Sequence, residues 1–180
     1  SSQKKKKMGG NNSINFTNND GISFQINKEL NTAEISLSPN ACGEIVLPRA
    51  IKYNSKEYVI KKIQPNSFKS NEHIKSIEFS KDSEIESIGS ESFSKSSIES
   101  VSIPSQIKEI EESTFYECNK LKIVNFAENS ELRVIKKYSF ASTSIEKVSL
   151  PNKIKEIGPF SFYSCKKLKT IEFHNNSELQ

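Results

Sequence analysis

The stretch IKEIEESTFYECNKLKIVNF at residues 107–126 returns as IKEIGPFSFYSCKKLKTIEF at residues 154–173. Eleven of the twenty positions are identical, and the two stretches begin 47 residues apart. A period of this length is typical of some helical repeats, but it also fits two shorter units placed in tandem. The residues around the two copies distinguish these alternatives.

The I-x-x-I element that opens each copy recurs through the chain. Its first residues are Ile60, Ile85, Ile107, Leu132, Ile154 and Leu179. The spacing between them alternates between 25 and 22 residues. The longer period is therefore one 25-residue unit plus one 22-residue unit, and both share the order I-x-x-I, Phe, a turn and a short apolar segment.

The short apolar segment of each unit alternates apolar and polar residues, which predicts a half-buried β-strand. The residues expected to face the interior are Ile77, Phe79, Val101, Ile103, Val124, Phe126, Val148, Leu150, Ile171 and Phe173. The 22-residue units end this segment with Pro104 and Pro151, and proline ends backbone pairing. The rest of each unit is too short for a long helix, and we expect a brief extended or 3₁₀ segment at I-x-x-I.

Equivalent positions of successive units predict how the units stack. One position always holds phenylalanine, preceded by Ser or Thr, and the residue after the strand-leading apolar position alternates between Lys and Glu. One unit alone cannot bury enough apolar surface to offset the entropy of ordering it, so the units must pack on one another. The phenylalanines of the column are Phe68, Phe93, Phe115, Phe140 and Phe162, and the charges are Lys75, Glu99, Lys122, Glu146 and Lys169.

The ends of the chain differ from the repeats. Residues 1–20 are rich in Lys, Asn and Ser, which predicts a disordered tail. Short alternating segments at 21–59 predict an N-terminal β cap, and residues 60–180 hold about five repeat units. The chain stops two residues into a new unit, so we expect the repeat region to be truncated at its C-terminal end.

Charge and hydropathy exclude some classes of function. The net charge is +4, with 26 basic and 22 acidic residues, and Lys4, Lys5, Lys6 and Lys7 account for the excess. The lysine run favours either attachment to an anionic surface or a solvated tail. A neutral body is unsuited to nucleic acid, and no apolar run is long enough for membrane insertion within this segment.

The unit I-x-x-I-x-x-x-(S/T)-F-x-x-C-x-x-L-x-x-V-x-(F/IP) resembles the BspA-like leucine-rich repeat of treponemal and protist surface proteins. The leader DGISFQI, TAEI, GEIVLP and YVIKKI resembles the usual entry of that family. The resemblance covers residues 20–180. It implies a β-rich α/β-type solenoid, a right-handed leucine-rich-repeat coil of alternating 25- and 22-residue units with an N-terminal β-hairpin cap. It also implies a cell-surface or secreted adhesin.

No catalytic constellation is visible in the sequence. His73 and His174 lie at unit boundaries without a paired carboxylate pattern, and no metal-binding or phosphate-binding motif occurs. We therefore expect neither an enzyme nor a cofactor or metal. Cys118 and Cys165 share one repeat position about 10 Å apart, beyond the roughly 7 Å limit for a disulfide, and are expected to be small buried fillers. Cys42 has no evident partner.

Three N-x-S/T sequons begin at Asn11, Asn15 and Asn175. They are glycosylation candidates if the protein enters a secretory pathway, and otherwise chance matches in a chain rich in Asn and Ser.

The exposed side of the strand sheet is the expected binding surface of a curved solenoid. An ordinary solvated sheet face is the alternative, since these positions are mostly small and polar. We expect a host or matrix protein, or another cell, as the partner, and an intracellular protein-interaction scaffold as the second possibility. The candidate residues are Ser76, Glu78, Ser100, Ser102, Ile123, Asn125, Lys147, Ser149, Thr170 and Glu172.

Overall fold

The computed structural model describes residues 13–173 and residue 179. Each repeat unit forms one coil of a β-solenoid, with a short strand at the I-x-x-I element and a longer strand at the alternating segment. The longer strands are β7 (Ile74–Phe79), β9 (Ser100–Ile103), β11 (Ile123–Phe126), β13 (Lys147–Leu150) and β15 (Thr170–Phe173). The short strands are β8 (Ser87–Ile88), β10 (Glu109–Ile110), β12 (Val134–Ile135) and β14 (Glu156–Ile157).

The N-terminal cap begins both stacks of strands. Its strands β1, β2 and β3 form an antiparallel meander, and β5 pairs antiparallel with β6. Parallel pairing then joins β4 to β7 and β6 to β8, so the cap covers the first coil on both sides. The cap strands are β1 (Ser13–Thr17), β2 (Ser23–Asn27), β3 (Thr32–Ile35), β4 (Gly43–Leu47), β5 (Ala50–Tyr53) and β6 (Lys56–Ile63).

The structure corrects the expectation that disorder extends through residue 20. Residues 13–17 form β1, which pairs along its whole length with β2. The segment is polar in composition, but Ile14 and Phe16 pack against the core from it. Two apolar anchors and a complete antiparallel ladder are therefore enough to order it. The lysine run, Asn11, His174 and Asn175 lie outside the described residues.

The described residues contain no helix, so the α/β part of the expected fold class is not confirmed. The I-x-x-I elements are extended rather than 3₁₀. In each coil, the residues two before and two after the column phenylalanine have a left-handed backbone, as at Ser113 (φ 55°) and Glu117 (φ 56°). Two such residues only four positions apart interrupt any right-handed helix and produce a tight turn instead.

The register of the short strands reproduces the two spacings of the sequence. Ile63 pairs with Ile88 and Ile110 pairs with Ile135, each 25 residues apart. Ile135 then pairs with Ile157, 22 residues apart. Consecutive coils therefore place equivalent isoleucines side by side.

The core is dominated by a phenylalanine spine, which consists of the five column residues Phe68, Phe93, Phe115, Phe140 and Phe162. Neighbouring rings are nearly parallel, with centroids 5.0, 5.2, 5.3 and 5.5 Å apart. The first four rings are fully buried and the fifth is partly buried. This offset-stacked separation is favourable for aromatic pairs, and it confirms the predicted stacking of the units.

The hydroxyl before each spine residue ties the turn to the backbone. Thr114 Oγ1 donates to the Glu111 carbonyl at 2.7 Å, and Ser139 Oγ reaches the same carbonyl from the next coil at 3.1 Å. The hydroxyl at this position therefore bonds nearby backbone and joins neighbouring coils. Ser92 Oγ is the exception, because it is buried without a partner in the described part of the chain.

Most of the strand residues expected to face inward are buried. Phe79, Phe126 and Ile171 are only partly buried, and Phe173 is 45% exposed, which corrects the expectation for that residue. Phe173 ends the last described strand, so no further described coil covers it.

In three of the five units, the position three residues after the spine phenylalanine carries a group that donates to the preceding coil. Asn71 is buried and its Nδ2 reaches the Ser38 and Ala41 carbonyls at 3.0 and 2.9 Å. Cys118 Sγ lies 2.9 Å from the Phe93 carbonyl, and Cys165 Sγ lies 3.0 Å from the Phe140 carbonyl. All three cysteines are free, and both of these are weak hydrogen-bond donors. Cys118 is buried as predicted, whereas Cys165 is only half-buried.

The buried thiol should be chemically inert in the folded protein. Burial raises the pKa of Cys118 to about 11, so little thiolate forms near neutral pH, and the thiolate is the reactive species. We expect iodoacetamide at pH 8 to alkylate the exposed Cys42 and to leave Cys118 unmodified, as measured by peptide mass spectrometry. The same reaction in denaturant is the control, and it should modify both. Equal labelling of the two in the folded protein would contradict the packing described here.

Candidate functional site

The face of the longer strands presents all ten candidate side chains to solvent. They come from β7, β9, β11, β13 and β15, two from each strand, because alternate residues of a strand share a face. Ser76, Ser100 and Ser102 are half-buried, and the other seven are exposed. Val46 of β4 continues the same face and is 66% exposed.

The sheet that carries this face is divided into two parts. One part has the order β11-β9-β7-β4 and the other consists of β13 and β15. Within the described chain, no backbone hydrogen bond joins β11 to β13. Across this junction the coils remain joined by the pairing of β10 with β12 and by the stacked rings of Phe115 and Phe140. The sheet face is therefore interrupted between β11 and β13, a junction that we call the seam, while the coils stay joined on their other side.

Proline placement accounts for one missing backbone hydrogen bond at the seam. Where a 25-residue unit follows a shorter one, the residue after its strand donates to the preceding strand, as Ala127 N does to Ile103 O at 3.4 Å. Ser80 N likewise donates to Leu47 O at 2.9 Å. In the 22-residue units the same position is proline, which has no N–H. The ladder therefore lacks its closing bond whenever a short unit follows a long one.

Both such junctions in the described residues are weakened. At the first, β7 and β9 share only the pairs Ser76↔Ser100 and Ile77↔Val101, and Pro104 follows β9. At the second, Pro151 follows β13 and pairing with β11 is lost. By contrast, all four residues of β9 pair with β11, and all four of β13 pair with β15.

A groove of about 800 Å³ lies along the second junction. It brings together four candidate residues, Ile123 and Asn125 from β11 and Lys147 and Ser149 from β13. A smaller groove of about 440 Å³ at the strand ends of the first junction includes Ser102 and Asn125. The sequence list omitted several residues that line the larger groove: Lys122, Phe126, Glu128, Glu146, Pro151 and Asn152.

The remaining candidates lie outside the larger groove. Glu172 forms an ion pair with Lys147 at 2.6 Å and accepts a hydrogen bond from Ser149 Oγ at 2.6 Å. It therefore fixes one wall of the groove instead of lining it. Ser76, Glu78, Ser100 and Thr170 lie farther along the face. Exposed ion pairs of this kind contribute at most about 1 kcal/mol, so they position side chains more than they stabilise the fold.

At the positions that alternate between Lys and Glu, neighbouring coils are joined mainly by backbone hydrogen bonds and only once by an ion pair within the described residues. Lys169 Nζ reaches Glu146 at 3.4 Å. For the earlier members, backbone bonds join the coils, as from Glu99 N to Lys75 O at 2.7 Å and from Lys122 N to Glu99 O at 2.9 Å. No cluster of His, Cys, Asp or Glu suited to a metal ion occurs within residues 13–173.

The sequence reasoning missed a group of surface aromatics in the turns. Pairwise ring contacts join its four members across three coils: Tyr116 with Tyr138, Tyr138 with Phe160, and Phe160 with Tyr163. One feature of the sequence could have revealed this group. Tyr138 and Phe160 occupy the turn position two residues before the spine phenylalanine, which is polar in the earlier units, where it holds Asn66, Glu91 and Ser113.

Comparison with known proteins places this geometry in a wider context. A family model described as "BspA type Leucine rich repeat region (6 copies)" matches residues 21–118 and 49–169. No curated protein matches the chain.

Several solved bacterial structures share the fold. The pneumococcal vaccine antigen PcpA matches with a TM-score of 0.70 at 22% identity, over 90% of this chain and 50% of that one. A leucine-rich repeat protein from Bacteroides ovatus gives 0.70 at 23%, over 85% and 40%. The T. pallidum leucine-rich repeat protein TpLRR gives 0.72 at 20%, over 86% and 70%. The chain thus spans about half or less of the first two, and these identities show the fold alone.

The proline account of the seam makes a specific prediction. Pro151→Ala supplies the missing N–H, and we expect the new amide to donate to β11 and draw β11 and β13 together. Hydrogen exchange should then show protection of the new amide at position 151 and slower exchange in β11. Pro48→Ala is the matched control, because Pro48 follows β4, which is the edge strand of its sheet. An unprotected amide at position 151 would refute the explanation.

Proposed function

Because the chain belongs to the BspA-type leucine-rich repeat family, we propose that it is a non-enzymatic cell-surface or secreted adhesion and recognition module. The proposed partner is a host or matrix protein, or a protein of another cell, bound through the face of the longer strands. The observation that carries the proposal is the opening of this face into a groove between β11 and β13, lined by four of the candidate residues.

The chemistry of the groove suits a polypeptide ligand. Unpaired backbone groups along the facing edges of β11 and β13 offer hydrogen-bond donors and acceptors to a main chain. Ile123 is 52% exposed and supplies an apolar contact, while Asn125 and Ser149 can donate and accept. Lys122, Lys147, Glu128 and Glu146 place both signs of charge around the groove. Recognition would rest on shape and hydrogen bonding more than on net charge.

The rest of the face supports many weak contacts. The candidate residues include neither Trp, Tyr nor Arg, the residues that dominate energetic hot spots in protein interfaces. Equivalent positions recur from coil to coil, so contacts of modest strength add along the solenoid. Repetition within the chain and multiple copies on a surface then raise the overall avidity.

The proposal retains the organisation expected from the sequence. The cap predicted at residues 21–59 is extended by β1 to residue 13, and the repeat region begins at residue 60 as a right-handed coil of alternating 25- and 22-residue units. Strand partners 25 and 22 residues apart support the alternation.

A surface location also forms part of the proposal. Asn15 is exposed on β1 and its sequon residue Thr17 lies on the same strand, so this site is accessible to a glycan. Asn11 and Asn175 remain candidates outside the described residues. Within the described chain, no helix has the length and apolar character needed to cross a membrane.

Blocking the groove tests the binding face. We expect the double variant Ile123→Arg, Asn125→Arg to bind a panel of immobilised matrix proteins and cells at least about tenfold more weakly than the unmodified chain, because two long cations fill the groove. Leu30→Arg is the control, since Leu30 is 70% exposed in the β2–β3 turn, away from the face. Surface plasmon resonance measures the binding of the unmodified chain and of the two variants. Equal binding by all three proteins would show that the binding site lies elsewhere.

Surface labelling tests the location. Biotinylation of intact source cells should label the native protein if it is an adhesin. Protection from labelling, together with unoccupied sequons, would favour the intracellular scaffold instead.

A further inference from the structure

A continuous strip of aromatic side chains crosses the turns of three coils. The aromatic strip consists of Tyr116, Tyr138, Phe160 and Tyr163. Successive ring centroids lie 6.1, 5.2 and 5.8 Å apart, and the rings of Tyr138 and Phe160 are nearly parallel at 13°. Tyr116 and Tyr138, which have a described coil on each side, are half-buried, and Phe160 and Tyr163 in the last described coil are 54% and 62% exposed. The strip therefore lies on the surface, in the turns between the short and the longer strands.

The strip is not required by the packing of the solenoid. The phenylalanine spine already fills the interior of the same turns. Tyr138 and Phe160 instead occupy left-handed backbone positions, with φ of 57° and 58°. Bulky side chains are unfavourable there, and the earlier coils place Asn66, Glu91 and Ser113 at this position. Two large aromatics thus occupy strained turn positions at which polar residues serve the fold in the earlier coils.

Neighbouring coils do not hide the strip. Tyr138 has a described coil on each side and contacts an aromatic ring in each, yet it remains only half-buried. The stacked rings therefore keep a solvent-facing edge even inside the array. Exposed Tyr and Phe side chains of this kind are enriched where proteins bind proteins.

The charges around the strip are predominantly positive. Lys137 Nζ lies 5.0 Å from the centre of the Tyr138 ring. Lys166 and Lys167 follow Tyr163 in the chain and are exposed, with no ion pair in the described structure. Glu117 is already engaged, because it pairs with Lys95 at 3.6 Å and its hydrogen bond with Tyr116 raises the pKa of that tyrosine. Lys137 contacts the strip directly, whereas Lys166, Lys167 and Glu112 are placed near it by their positions in the chain. None of these four has an ion pair in the described structure.

We propose that the aromatic strip is a second docking surface, which binds an acidic segment of a partner protein that also carries aromatic side chains. The partner's aromatic groups would pack on the exposed edges of Tyr138, Phe160 and Tyr163. Its carboxylates would pair with Lys137, Lys166 and Lys167, which also steer the approach. This surface is distinct from the groove between β11 and β13, and it goes beyond the proposed adhesion through the sheet face.

A random copolymer of glutamate and tyrosine is a suitable probe, because it presents acidic and aromatic groups in every local order. We expect it to bind the unmodified chain, and to bind the double variant Tyr138→Ser, Phe160→Ser at least about tenfold more weakly by fluorescence anisotropy. Serine occupies this position in an earlier coil, so the variant should fold. The double variant Lys166→Glu, Lys167→Glu should also bind more weakly, and salt should reduce binding.

The controls separate this surface from the others. The variant Leu30→Ser, a change without charge at an exposed residue of the β2–β3 turn, should bind the copolymer as the unmodified chain does. Thermal unfolding confirms that each variant is folded. Failure of the copolymer to bind, or equal binding by polyglutamate, would overturn the proposal, as would unchanged affinity of the serine variant. Preference for heparin over the copolymer would instead indicate a sulfated polysaccharide and would also overturn it.

Discussion

Offset stacking of one phenylalanine per coil is the interaction on which the other features depend. Each ring is buried by its neighbours at about 5 Å, so every coil must place a planar group of the same size at the same height. This requirement fixes the turn around it, with its hydroxyl before the ring and its left-handed residues on either side. Variation between coils is then confined to surface positions, where the groove and the aromatic strip are found.

The features that occur in every unit could be predicted from the sequence, because several copies of the same pattern can be compared. The spine, the turn hydroxyls and the inward strand residues recur once per unit, so five copies of each reveal the rule. The ordering of residues 13–17 was not readable, since a single polar segment gains its structure from the antiparallel ladder with β2. The absence of helix from the described residues was also missed, because left-handed Glu, Lys and Tyr residues leave no signature in composition.

The sequence predicted which face of the sheet is exposed, but not the groove within that face. Alternation alone identified the exposed residues of five strands, and the structure keeps all ten at the surface. Pro104 and Pro151 were recognised as strand ends, but the carbonyl that each leaves without a donor belongs to the neighbouring coil. That relation requires the register between coils, which one sequence does not provide. The same limit applies to the aromatic strip, whose members lie in three separate units.

The seam between β11 and β13 also has a mechanical consequence. Hydrogen-bonded strands in parallel share a tensile load, and a junction with fewer of them yields first. Here one side of the stack is held by β10 and β12 and by the spine, while the other side carries no strand pairing within the described chain. Force applied along the solenoid axis would therefore bend the molecule about this junction and widen the groove before any coil unfolds. A module that holds a partner under shear would thus deform first at the proposed binding groove.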